Sequence, residues 1–181
     1  MDVLVNLPLT LPPVVVGYLL LLLLGQNGPV GKWVLQPLGI KLIFTWKAAV
    51  IATAVVGFPL MVRSIRTGME AIDEKLIQAS RTLGAGWLDT IVTVIAPLSV
   101  RGIMAGSILM FDRVMGEFGA TIIVAGNIPA VTQTIPLAIY QYVSSPKGDV
   151  IAMSLCLVSI TLSVIVLIFH EWLSRRVVRV D

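Results

Sequence analysis

Charge is scarce in this chain. Only 13% of its 181 residues are Asp, Glu, Lys or Arg, against 57% that are hydrophobic. A soluble domain is nearer a quarter charged, and mean hydropathy is high, at +0.96. That balance excludes a disordered chain and a basic nucleic-acid-binding domain, and it argues against a soluble enzyme. The net charge of +3 is small, so where the charges sit matters more than their sum. The length allows one domain, 1–181. Cysteine occurs once, at Cys156 in an apolar run. It cannot close an internal disulfide, it reads as a small buried or lipid-facing hydrophobe, and it says nothing of redox compartment. Histidine also occurs once, at His170 beside Glu171. With no second ligand-type residue near it, it reads as an interfacial side chain and not as a metal ligand. There is no Gly-x-x-x-x-Gly-Lys-Ser/Thr phosphate loop, so the chain shows no means of hydrolysing ATP. No metal or cofactor is expected to be bound by it.

What the chain does have is long apolar runs. A bilayer core needs about 20 mostly apolar residues in a helix. Val150 to Phe169 is twenty residues without a charge, followed by Trp172 and by Arg175, Arg176 and Arg179. An aromatic at the water boundary followed by arginines is the usual edge of a span. Leu42 to Val62 lies between Lys41 and Arg63, and Lys47 near its start can snorkel to the surface. Pro97 to Ile123 is apolar overall yet carries Arg101, Asp112, Arg113 and Glu117, with a helix expected over Leu98 to Met115 and a loosening at Gly116, Gly119 and Gly126. Met104, Met110 and Met115 on that span read as packing residues. The N-terminal run is uncharged from Val3 to Gly31 but contains Pro8, Pro12 and Pro13. A regular helix is therefore expected from Pro13 to Leu24, about 18 Å long and too short to span alone. It lacks the basic flank and cleavage site of a signal peptide. The expected fold is an all-α integral membrane protein with about four spans, 8–25, 42–63, 98–118 and 150–171.

Eight basic residues fall in or beside loop 64–97 and in the tail, against four (Lys32, Lys41, Lys47, Lys147) on the other side. Positive-inside counting puts the long loop and both termini in the cytoplasm.

Within loop 64–97, Ile72, Leu76, Ala79 and Leu83 recur at helical spacing and form one apolar stripe. Glu70, Asp73 and Glu74 are expected to open that helix, where carboxylates suit the positive dipole end. Gly84 stands where a helix C-terminus wants positive φ. A second stretch, Trp87 to Ile95, is expected to be broken by Pro97 before the next span. Ala79, Gly84 and Ala85 make a small surface that another protein could approach closely. From periodicity alone the segment is either a docking element or an amphipathic helix lying on lipid.

Glu70-Ala71, then Ala79-Ser80, Leu83-Gly84-Ala85, and Pro97 after an apolar helix resemble the cytoplasmic signature loop of bacterial ABC-importer permeases. Ser80 stands where many relatives have alanine. Leu7-Pro8-Leu9-Thr10-Leu11-Pro12-Pro13-Val14-Val15-Val16-Gly17-Tyr18 resembles a span of molybdate permeases. Gly116-Glu117-Phe118-Gly119-Ala120-Thr121, Gly126-Asn127-Ile128-Pro129 and Thr132-Gln133-Thr134-Ile135-Pro136 do the same. By this resemblance, which covers nearly the whole chain, the protein is identified as a member of the molybdate ABC-transporter permease family. Such permeases usually carry one more transmembrane helix upstream of Leu7-Pro8-Leu9, and this sequence opens almost directly on that segment. A late start or a truncated product is the expectation that follows.

The resemblance implies an ATPase-docking set of Glu70, Ala71, Ala79, Ser80, Leu83, Gly84 and Ala85. It implies a second permease copy, cytoplasmic ATPase subunits that consume the ATP, a periplasmic or extracellular binding protein for the anion, and a place in the bacterial cytoplasmic membrane. The anion would be delivered onto connections 25–41 and 124–148. No nucleic acid partner is implied, and the lipid bilayer is the surrounding medium. The alternatives are a permease for tungstate, sulfate or thiosulfate, a carrier without an ATPase, and a truncated, non-transporting remnant. Arg113 and Glu117 are four apart and share a helical face, with Asp112 pointing elsewhere. With Gly116, Gly119 and Thr121 they form either part of the anion's path or a structural ion pair.

Overall fold

The computed structural model describes residues 2–178. Arg179, counted above with the cytoplasmic charges, lies outside them. Among the described residues the ordered elements are all helical: α1 (Asp2–Thr10), α2 (Pro13–Leu24), α3 (Trp46–Glu70), α4 (Glu74–Thr82), α5 (Trp87–Thr90), α6 (Ala96–Met115), α7 (Gly119–Val124), α8 (Ile135–Val143) and α9 (Asp149–Val178). Single wide π turns stand at Gly31–Leu35 and Ile91–Ile95.

Three helical stretches are long and apolar enough to cross a membrane: Trp46–Glu70, Trp87–Met115 and Asp149–Trp172. The segment 8–25 is not one crossing helix. Pro12 has extended backbone and Pro13 sits at the first helical positions of α2, so the missing donors and ring clashes fall at a break and not inside a turn.

Three other boundaries depart from the sequence expectation. α3 begins at Trp46 and not at Leu42, where the chain is still irregular. α3 does not stop near Arg63 but runs to Glu70. The hydropathy signal ends at the first charge, whereas the backbone continues through about two polar turns, closed by an Arg66–Glu70 pair at 2.8 Å. Pro97 does not break the helix that precedes it. α5, the π turn and α6 run on as one stretch. The Ala96 N–H donates to the Ile91 carbonyl, a five-residue step. The widened turn just ahead of Pro97 relieves the clash that a proline ring makes with a regular helical turn.

The chain forms two compact units. One comprises the residues up to Pro59 with Asp112–Leu167; the other comprises Leu60–Phe111 with the chain from Ile168 onward. Each boundary falls inside a continuous helix. The first unit has a core of Val16 and Leu20 from α2, Ala48, Ala52 and Val56 from α3, and Ala120, Val124 and Ala125 from α7 and its end. Small residues dominate because membrane helices gain little from hydrophobic transfer and must approach closely to gain dispersion. A Cβ on Gly17 would lie 2.8 Å from Ala120 Cα, so α2 and α7 meet backbone to backbone. In the second unit, a Cβ on Gly68 would lie 2.8 Å from Gly102 Cα. There the Ser64 hydroxyl donates to the Gly102 carbonyl at 3.0 Å, tying α3 to α6. The most apolar window of α9 is only 6% buried, a face suited to lipid or to another protein.

Candidate functional site

The segment expected to dock is built around α4. Its first residue is Glu74, and Asp73 is the cap: Asp73 Oδ1 accepts from the Lys75 N–H at 2.9 Å. The carboxylate takes up a donor that the first helical turn leaves without an intrahelical partner. This corrects the expectation of a helix opening at Glu70. Glu70 is the last residue of α3, its carboxylate held by Arg66 against an unfavourable dipole end. Ala71 follows it in an exposed turn.

α4 ends in a Schellman turn. Leu83 is the cap and Gly84 has φ +90°. The Gly84 N–H donates to the Arg81 carbonyl at 3.0 Å and the Ala85 N–H to the Ser80 carbonyl at 3.1 Å. Gly84 therefore supplies the left-handed residue this closure needs, and nothing lies within 4 Å of where its Cβ would be.

α4 turns one face toward its own chain and the other away. Ser80 Oγ lies 3.1 Å from Oγ1 of Thr90, which is fully buried, and Ile77 is half-buried on the same side. Ser80 thus anchors α4 to α5 and does not face outward. Leu76, Ala79 and Leu83 are exposed, Leu83 by 89%. Sequence reasoning missed two neighbours. Trp87 and Leu88 are also exposed, and the Arg81 guanidinium lies over the Trp87 ring, 5.6 Å from its centroid. The available signal was an aromatic-aliphatic pair one residue after the Gly84-Ala85-Gly86 turn, at a helix start where neither residue has a core to enter.

The second candidate group lies at the break between α6 and α7. Arg113 Nη1 donates to Glu117 Oε2 at 2.9 Å, and the Ala120 N–H donates to Glu117 Oε1 at 2.9 Å. Glu117 is only 3% exposed, while the Arg113 side chain keeps 35% of its surface. The carboxylate thus joins the last turn of α6 to the first turn of α7 and places negative charge where the α7 dipole favours it. Both of its oxygens are occupied by its own chain. Gly119 packs against Pro13 and Val14, whereas Gly116 is open. Thr121 is fully buried, and its Oγ1 lacks a hydrogen-bond partner among the described residues. Asp112 is exposed and takes no part in the cluster. Among the described residues no three His, Cys, Asp or Glu side chains come together as a metal site.

The two groups differ in what they can do. The first is an exposed apolar knuckle on a rigidly closed turn, suited to seating in a groove. The second is a satisfied ion pair that stitches a broken helix.

Comparison with known proteins shows which family the chain resembles along its length. A family profile described as the inner membrane component of binding-protein-dependent transport systems matches residues 1–179. The molybdenum transport system permease protein ModB of Haemophilus influenzae is 51% identical over 172 residues, covering 95% of this chain and 75% of that protein. Its namesake in Escherichia coli K12 is 49% identical over 175 residues, covering 97% and 76%. A Bacillus subtilis protein described as a putative molybdenum transport system permease is 43% identical over 159 residues, covering 86% and 69%. With three helical stretches long and apolar enough to cross a membrane among its described residues, and matched along nearly its whole length, the chain belongs to the family of inner-membrane components of binding-protein-dependent transport systems.

Proposed function

We propose that this chain is the membrane subunit through which an ATP-driven importer moves molybdate, or a similar tetrahedral oxyanion, across the bacterial cytoplasmic membrane. The names of its relatives support the anion. The observation that carries the mechanism is the exposed face of α4, Leu76, Ala79 and Leu83, on a helix closed by Gly84. That face seats in a cytoplasmic ATPase subunit, which holds the nucleotide and does the hydrolysis. Loop 64–97 and both termini lie on the cytoplasmic side, with the broken pair α1–α2 crossing together as a fourth span beside the three long ones, and the turns at 25–41 and 124–148 face the binding protein. Two copies of the chain enclose the path. Nucleotide-driven closure of the ATPases draws the two α4 helices together and turns the path outward; hydrolysis resets it. Each ligand biases one of two states through its differential affinity. Arg113 and Glu117 act as a structural clamp on the α6–α7 break, not as an anion site, since a strong fixed site in the path would slow release.

The test is co-purification from membranes with the ATPase subunit, alongside uptake of molybdate into vesicles with sulfate as competitor. Gly84→Asp should abolish association and uptake together. Association unaffected by the substitution would remove the α4 turn from the contact, and uptake that continues with no ATPase subunit bound would instead favour a carrier working without one.

A further inference from the structure

Between the end of α2 and the start of α3 lies a cavity of about 790 Å³. Its walls include the apolar side chains of Leu22 and Phe44, and its polar lining is Gln26, Asn27, Gln36 and Lys41. No acidic residue lines it, and among the described residues no carboxylate pairs with Lys41. Gln36 Nε2 donates to the Gln26 carbonyl at 2.9 Å, which ties one side of the cavity to the other. Lys41 and the three amides are themselves exposed, so the space opens to solvent and presents one cation and no anion along its lining, a positive bias for an arriving anion.

We propose that this cavity is a vestibule for a hydrated, doubly charged tetrahedral oxyanion, with Lys41 as its attracting group. This rests on the oxyanion reading above and adds a place for the ion on this chain. Size decides the mode of binding. The space holds the ion together with on the order of ten or more waters, so the ion keeps its hydration and is held weakly enough to move on. The vestibule is also joined to α7. Phe44 has φ +59°, a left-handed conformation that a bulky residue rarely adopts. It is held there by its own N–H, which donates to the Val124 carbonyl at the end of α7 at 3.0 Å. Its ring lies over Gly126, where a Cβ would come within 3.2 Å of Phe44 Cδ1. The wall of the vestibule is thus tied to the helix that Glu117 caps at its other end.

The test uses the full assembly in membrane vesicles, with Cys156→Ser removing the native thiol and Asn27→Cys placing one in the cavity. Reaction rates with an anionic and a cationic methanethiosulfonate reagent are compared. With Lys41 present, the anionic-to-cationic rate ratio should exceed that in Lys41→Gln on the order of tenfold, and Lys41→Arg should restore it. Millimolar molybdate or sulfate should slow the anionic reagent with Lys41 and not with Gln. An unchanged ratio in Lys41→Gln, no effect of either oxyanion, or a thiol closed to both reagents would overturn the proposal and leave the cavity to a lipid tail or a partner's segment. Labelling does not require transport, so the two readings fail separately. Expected labelling without molybdate uptake sinks the molybdate importer alone, and uptake with an unchanged ratio sinks the vestibule alone.

Discussion

Glu117 accepts from Arg113 Nη1 and from the Ala120 N–H, each at 2.9 Å, and so spans the gap between two helices with one carboxylate. Glu117 is buried but the Arg113 side chain keeps 35% of its surface, so losing the carboxylate costs less than the roughly 3–5 kcal/mol of a fully buried pair, and it also leaves the Ala120 N–H without its acceptor. Glu117→Ala should therefore lower the yield and thermal midpoint of the solubilised assembly. Glu117→Gln keeps an oxygen for the Ala120 N–H and should lose less. Arg113→Gln should reduce assembly while leaving uptake per assembled complex unchanged. Lost uptake in a fully assembled Arg113→Gln complex would return the pair to the transport path.

Gly17 sets the distance between α2 and α7. A Cβ there would lie 2.8 Å from both the Cα and the carbonyl oxygen of Ala120, and backbone cannot rotate aside as a side chain can. Gly17→Ala should destabilise the subunit by about 1–3 kcal/mol, read as a lower midpoint in thermal unfolding of the solubilised protein, and Gly17→Val should do worse.

Asp73 starts α4 by accepting from the Lys75 N–H. Asp73→Ala should cost the helix about 0.5–2 kcal/mol. Amide hydrogen exchange should quicken in residues 74–82 while the protection of α6 stays as it was.

Leu83 is 89% exposed and Ser80 is turned inward. Leu83→Ser should therefore leave stability within about 0.5 kcal/mol yet weaken ATPase association by about tenfold or more, as truncating an interface anchor does. Equal stability with unweakened association would remove Leu83 from the docking face.

How far the sequence could be read follows the kind of signal each element emits. The body of α3, the long apolar run of α9 and the helix starting at Pro13 are legible because apolar length and proline chemistry act locally, although the start of α3 at Trp46 and not Leu42 is not. The position of Gly84 is legible for the same reason, since a glycine after an amphipathic helix names its own turn. The start of α4 is not. Glu70, Asp73 and Glu74 look alike in composition, and only the side-chain bond of Asp73 decides which carboxylate caps. The passage through Pro97 is hidden as well, because the π turn that accommodates it has no residue signature. α7 has six residues and α8 nine, too few turns for a periodic pattern. Their placement depends on contacts such as Gly17 with Ala120 that join distant parts of the chain. For the docking set, the stripe of Leu76, Ala79 and Leu83 is visible in the spacing. The inward turn of Ser80 depends on Thr90, ten residues on, and no local pattern reveals it.

The most direct measurement is crosslinking from single cysteines at Ala79 and Ala85, in a Cys156→Ser background, within a purified complex that transports. Crosslinks to the nucleotide-hydrolysing subunit, with yields that change when nucleotide is trapped, are what this account requires. Products formed with phospholipid alone, in a complex that still pumps, would contradict it.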